Sequence, residues 1–189
     1  MFAKPGVFAK RRGRRAEAGF TLAEVLLAAV IITVAFVALL SVIPYSSAAL
    51  QSGNQTSTAT FLANQKLEEA KNVPWTATPN NDCLWISAGG NSAPTVPAGK
   101  TCTLNGVIVN SGAALPWAAD QSATAIANFS GYSRNVRVTD CAATPAQCTT
   151  VSDAGMRLVT VSVTFQPMTT SSTAAAAKTV RVSMMIAQR

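Results

Sequence analysis

Val25 to Ile43 reads VLLAAVIITVAFVALLSVI, 19 residues without a charge and with only Thr33 and Ser41 as polar side chains. At about 1.5 Å per residue, a helix of this length nearly covers a hydrocarbon core of roughly 30 Å. Upstream, residues 1–19 hold Lys4, Lys10, Arg11, Arg12, Arg14 and Arg15 against the single acid Glu17. Downstream, no charge occurs until Lys66. This asymmetry predicts a single membrane helix with its basic leader in the cytoplasm and the remainder of the chain outside. A buried core helix is the competing reading, but such helices are rarely this long and this uniformly apolar.

The rest of the composition fits a basic tag on a nearly neutral body. The net charge of the 189 residues is +7, and residues 20–189 hold nine basic and seven acidic groups. The positive charge therefore does not describe a nucleic-acid-binding core. There is no histidine, which removes the commonest general base and the commonest transition-metal ligand. Other targeting readings compete with the membrane helix. A cleaved secretory signal would use Ser47-Ala48-Ala49, but the apolar run is too long, and Pro44 and Tyr45 intervene. Arg11-Arg12 and Arg14-Arg15 hint at a twin-arginine export signal, and the basic tract alone would suit a nuclear or nucleic-acid patch.

The junction decides among these. It reads Arg14-Arg15-Ala16-Glu17-Ala18-Gly19-Phe20-Thr21-Leu22-Ala23-Glu24-Val25-Leu26-Leu27. An ionisable Glu24 at the mouth of a membrane helix is expensive and marks a functional site that needs a partner. The pattern G-F-T-L-x-E-V-L, after a basic leader and before about 20 apolar residues, resembles the class III signal of type IV prepilins and pseudopilins. The resemblance implies that a prepilin peptidase cuts after Gly19 and methylates the new amino group of Phe20. It implies that Glu24, with Thr21 in the same motif, serves assembly. The Glu24 carboxylate would pair with the amino terminus of a neighbouring subunit when the helices bundle in a filament. Snorkelling of Glu24 to the interface without a partner is the bland reading. Many members of that family carry a helix-kinking proline at the position of Ser41; here the proline comes at Pro44, which would still kink the helix.

The chain divides accordingly. Residues 1–19 read as a basic leader that is removed, 20–44 as the transmembrane and filament-core helix, 45–73 as helix packed on the globular part, and 74–189 as a disulfide-containing β domain. Helix from Phe20 to Val73, ended by Pro74, would be about 80 Å long and must protrude. Ala63, Leu67 and Ala70 form the stripe that would pack on a sheet, with Leu62, Lys66 and Glu69 on a different face. Residues 74–100, with Pro74, Pro79, Pro94, Pro97 and Gly89-Gly90, read as loop. Period-two alternation predicts strands over Tyr132 to Asp140, Met156 to Phe165 and Thr179 to Ile186, with Thr103 to Val109 as a fourth. Pro167 to Lys178 reads as a hairpin loop, or else a short Ala helix. The expected fold is α+β, a long N-terminal helix whose C-terminal half packs on a small antiparallel sheet. The strand order resembles the minor pilin and minor pseudopilin branch over residues 131–189.

Cys83, Cys102, Cys141 and Cys148 all lie in the part predicted to be outside, and an even count there suggests disulfides. Cys83–Cys102 and Cys141–Cys148 are favoured because both close local loops. A zinc or redox site is the competitor, but no CxxC exists, and neither a metal nor a cofactor is expected. No catalytic constellation is visible, so an enzyme is not expected. Asp82, Asp120, Asp140 and Asp153 read as solvated turn residues. Asn54 and Asn128 head glycosylation sequons, which are common by chance. Trp75, Trp85 and Trp117 read as packing residues more readily than as ligand platforms. Arg134, Arg137, Arg157 and Arg181 on the strands would be solvated, or would form a basic face for DNA or another surface. The family implied is therefore a structural one: a minor pilin of a type IV pilus, whose partners are the prepilin peptidase, other pilin or pseudopilin subunits, the inner membrane and its assembly platform. The alternatives are a minor pseudopilin of a type II secretion system, or a filament-borne binding module. Inner membrane as precursor and an extracytoplasmic filament, pilus or periplasmic pseudopilus, are the implied locations.

Overall fold

A computed structural model describes residues 19–76, 82–167 and 175–189. The expected basic leader therefore lies outside the described residues but for its last residue, Gly19. So does most of the Pro167 to Lys178 tract; residues 175–177 carry no regular structure. The chain forms two compact units, Met1–Ile43 and Pro44–Arg189. Helix α1 spans Leu22–Lys71, with Pro44 inside it.

In the first unit, α1 is apolar all round. Val25, Leu26, Leu27, Val30, Ile31 and Phe36 are each more than half exposed, and the most apolar 18-residue window is 0 % buried. This is the one described helix long and apolar enough to cross a membrane. Its few hydroxyls are satisfied within the helix: Thr33 donates to Ala29 O at 2.9 Å, and Ser41 to Ala38 O at 2.7 Å. Such back-bonding hides polar groups from an apolar medium.

In the second unit, the C-terminal turns of α1 supply one wall of the core. Ala59, Leu62, Ala63, Lys66, Leu67 and Ala70 are buried. The expected stripe of Ala63, Leu67 and Ala70 is thus widened: Leu62 and Lys66 also face the core, and Lys66 Nζ reaches out to an ion pair with Glu69. The long lysine stem lies along apolar surface while its charge stays near water. The helix stops short of Pro74, and its last carbonyls are capped. Arg189 donates through Nη2 to Lys71 O at 2.8 Å, and Asn72 through Nδ2 to Glu68 O at 3.2 Å. A cation there opposes the negative end of the helix dipole.

The sheet is an antiparallel meander of three strands in the order β3-β4-β5: β3 Tyr132–Asp140, β4 Met156–Phe165 and β5 Lys178–Ala187. Val136, Val161 and Val182 stand in register across it, as do Val138, Val159 and Met184. These side chains share the inner face with the buried wall of α1. The outer face carries Asn135, Arg137, Thr160, Ser162, Thr164, Thr179 and Arg181, with hydroxyl pairs Thr160–Ser183 at 2.9 Å and Thr164–Thr179 at 2.8 Å.

The fourth strand expected over Thr103 to Val109 is not part of that sheet. Those residues form a separate hairpin, β1 Cys102–Leu104 and β2 Val107–Val109. Asn105 and Gly106 sit at φ 50° and 79°, so the chain reverses after three residues. Asn-Gly is the pair that adopts this turn most readily. Disulfides join Cys83 to Cys102 and Cys141 to Cys148, with Cα–Cα distances of 5.2 and 5.4 Å. The first ties the hairpin to the segment after α1. Trp117 packs there and donates through Nε1 to Cys83 O at 3.0 Å.

Arg134 is the polar keystone of the inner face, 5 % exposed. Its Nη1 donates to Leu62 O at 2.9 Å and to Gln65 Oε1 at 3.2 Å, and its Nε to Gln121 Oε1 at 2.8 Å. Burial lowers its pKa from the usual arginine value, while nearby Glu69 raises it. Replacing it leaves the buried Leu62 carbonyl and the side-chain oxygens of Gln65 and Gln121 short of a donor. Arg134→Leu is expected to lower the stability of the second unit by about 2–4 kcal/mol, read as a shift in the urea midpoint of the whole chain in detergent. Arg181→Leu, on the exposed outer face, should move it by less than about 0.5 kcal/mol.

Candidate functional site

The charged residue that stands out in the first unit is Glu24. Between Phe20 and Gln65 no other side chain is charged. Gly19, Phe20 and Thr21 have no regular structure, and α1 begins at Leu22. Thr21 is therefore the N-cap. Its Oγ1 accepts from Glu24 N at 3.3 Å, and its carbonyl accepts from Glu24 N at 3.0 Å and Val25 N at 3.2 Å. Thr21-x-x-Glu24 has the spacing of a capping box, and the acid in the first turn suits the positive end of the helix dipole. The spacing stands in the sequence and was legible there as a helix start.

Phe20 is 81 % exposed. Gly19 is exposed as well, and a Cβ built on it would meet nothing within 4 Å. Its backbone is outside the left-handed region. Nothing in the described chain therefore requires glycine at this position, in contrast to Gly106, whose turn does. Glu24 makes no ion pair among the described residues and lies on an exposed, wholly apolar stretch of helix. A carboxylate so placed has its partner elsewhere, if it is to leave water at all.

The second group singled out by the sequence comes apart. The four strand arginines form neither a basic face nor a solvated set. Arg134 and Arg157 lie on the inner face, Arg137 and Arg181 on the outer. Arg157 pairs with Asp82 at 2.8 Å, donates to Leu84 O, and stacks 4.5 Å from the centre of the Trp75 ring. Arg137 holds Asp120 with two bonds, at 2.6 and 3.0 Å. Two of the four aspartates are thus ion-paired rather than free in turns, while Asp140 and Asp153 cap turns through Ala142 N and Gly155 N. The pairing was hidden because partner and arginine are far apart in sequence, 75 residues for Asp82–Arg157. Trp75 and Trp117 are buried core residues. Among the described residues, no group of three or more His, Cys, Asp or Glu is placed to hold a metal.

Residues 14–40 match the model of the prokaryotic N-terminal methylation motif. No curated protein and no solved structure matches the chain. The motif is a type IV pilin-like prepilin signal, and it supports a pilin- or pseudopilin-type precursor that is processed by a prepilin peptidase and assembles with other such subunits. With one apolar N-terminal helix, it fits a membrane-anchored precursor and an extracellular filament.

Removing the cap should loosen the first turn without touching the rest. Thr21→Ala is expected to cost about 1 kcal/mol locally, seen as roughly fivefold faster amide hydrogen exchange at Glu24 and Val25 in micelles. Thr21→Ser should restore protection.

Proposed function

We propose that this chain is a structural subunit of a type IV pilus-like filament, and specifically a minor pilin. The observation that carries the reading is Glu24, without an ion-pair partner among the described residues, on a helix that is apolar on every face. In the membrane the apolar surface is covered by lipid. In a filament it is covered by the same helix of other subunits. Only the second arrangement offers the carboxylate a fixed partner.

Cleavage supplies that partner. Water adds across the Gly19–Phe20 amide, leaving a carboxylate on Gly19 and an amine on Phe20. The prepilin peptidase then transfers a methyl group to the amine from a methylsulfonium donor, which leaves as a thioether while the nitrogen gives up a proton; the resulting secondary amine takes up a proton again and is a cation at neutral pH. Glu24 of one subunit pairs with the Phe20 amino group of the next, and a misregistered helix would bury both charges unpaired. That difference is what fixes register in an apolar bundle. Gly19 fits the same scheme: its missing side chain serves the peptidase groove, not the fold of the chain. Pro44 lacks the N–H that would bond Leu40 O, which gives the helix a place to bend or loosen on packing.

A minor pseudopilin of a type II secretion system would use the same parts, since both rest on the N-terminal motif. The two differ in where the filament ends: at the surface, or in the periplasm. A filament-borne module for DNA or a surface has less support, because the strand arginines are divided between two faces and three of the four are engaged.

Two substitutions test the scheme in the host. Gly19→Val should leave uncleaved precursor in the membrane. Glu24→Gln should be cleaved normally yet fall at least about tenfold in sheared filaments, because about 1.4 kcal/mol is a factor of ten and an unpaired buried amine costs more. Filaments carrying Glu24→Gln at the normal level would overturn the assembly role. Loss of protein secretion with no change in surface filaments would move the subunit to the pseudopilus.

A further inference from the structure

β5 is the last strand of its sheet, and among the described residues no strand pairs with its outer edge. The opposite edge is partly covered, since Gln121 bridges to Arg134 on β3. The core registers the difference. On β4, Val159, Val161 and Val163 are fully buried; on the same inner face of β5, Val180, Val182, Met184 and Ile186 are only half-buried. A row of four apolar side chains and a ten-residue backbone edge thus open to the same side.

Natural sheets blunt such edges with proline, a bulge, an inward charge or a short strand. β5 has ten residues and no proline, and its register with β4 runs unbroken from Lys178 to Ala187. Its one inward-facing charge, Lys178, sits at the very start and donates to Ser52 Oγ at 3.1 Å. The charge of the edge is one-sided. After Asp153 the chain carries Arg157, Lys178, Arg181 and Arg189 and no acid. Arg157 is neutralised by Asp82, but Arg181, midway along β5 on the outer face, has no acidic partner among the described residues.

We propose that the outer edge of β5 is a docking site for an extended acidic segment of another protein, which adds to the sheet as a fourth strand of the β3-β4-β5 series. Main-chain hydrogen bonds supply the affinity, as in other strand-addition complexes. Alternate apolar side chains of the guest extend the row of Val180, Val182, Met184 and Ile186. Its intervening carboxylates come beside Arg181, where opposite charges across strands attract. A second copy of this chain fits less well. Its own β5 would bring a second Arg181 onto the edge with no acid between the two, and like charges across strands repel. The site owes nothing to the N-terminal motif, so it stands or falls apart from the filament reading.

The test uses the full chain in detergent micelles and a ten-residue peptide of alternating valine and glutamate. Binding should slow hydrogen exchange of β5 amides and leave those of β1 and β2 unchanged. A valine–lysine peptide should bind about tenfold more weakly at low salt. Arg181→Glu, exposed and outside the core, should reverse that order without moving the unfolding midpoint. Equal binding of the two peptides, or no protection of β5 by the acidic one, would overturn the proposal. So would protection of β5 that rises with the concentration of the chain alone, which would mean that a second copy closes the edge.

Discussion

A helix that is apolar on every face has no stable place in water. That constraint organises the N-terminal part of this chain. Each exposed leucine, isoleucine or valine between Leu22 and Ile43 represents about 1.5–3 kcal/mol of burial not realised within the chain itself. The deficit is far larger than the net stability of a small domain, so something outside the chain must cover this surface. Lipid or like helices can do so. The hydroxyls of Thr33 and Ser41 turn back onto the helix, which leaves Glu24 as the one group for which the two environments differ.

The second unit solves a separate problem. Its sheet is small, and the inner face needs a cover that α1 provides through alanines and leucines. The arginine at the centre of that contact would be costly if unpaired. Arg134 is instead fully engaged by a helix carbonyl and two glutamine amides, so its charge joins the helix to β3 and to the Gln121 segment at once. Arg157 performs a similar task at the other end of β4, held between Asp82 and Trp75. The Cys83–Cys102 bridge lies next to Asp82 in sequence and fixes the loop that presents it. These contacts commit two of the three arginines on β3 and β4 to packing. On the sheet, the exposed arginine is Arg181, on the outer face of β5.

Much of this was legible in the residues. Strict alternation located Tyr132–Asp140 and Met156–Phe165 to the residue, because one face of each strand is buried and a slip of one would invert it. Helix α1 runs over Leu22–Lys71, two residues inside each end of the expected Phe20 to Val73, because Thr21 caps its first turn and Asn72 and Arg189 take its last carbonyls. The β1–β2 hairpin reads as a single strand in sequence, since three-residue strands carry no measurable period; the Asn105-Gly106 pair is the signal that divides it. The burial of Arg134 and Arg157 is not legible in the sequence, because charge predicts exposure only until a partner is found, and the partners lie on segments distant in sequence. At the candidate site, the roles of Gly19, Phe20 and Glu24 rest on a local motif, and the matched residues 14–40 include all three. The N-cap bond of Thr21 has its signal in the Thr21-x-x-Glu24 spacing.

The account rests on a cut between Gly19 and Phe20, and intact-mass analysis of the protein purified from its host's membranes tests that most directly. It predicts a chain that begins at Phe20, heavier than the bare sequence by one methylene unit, and lighter by the four cysteine hydrogens lost to two disulfides. A chain that keeps Met1, or that begins after Ala49, would contradict it.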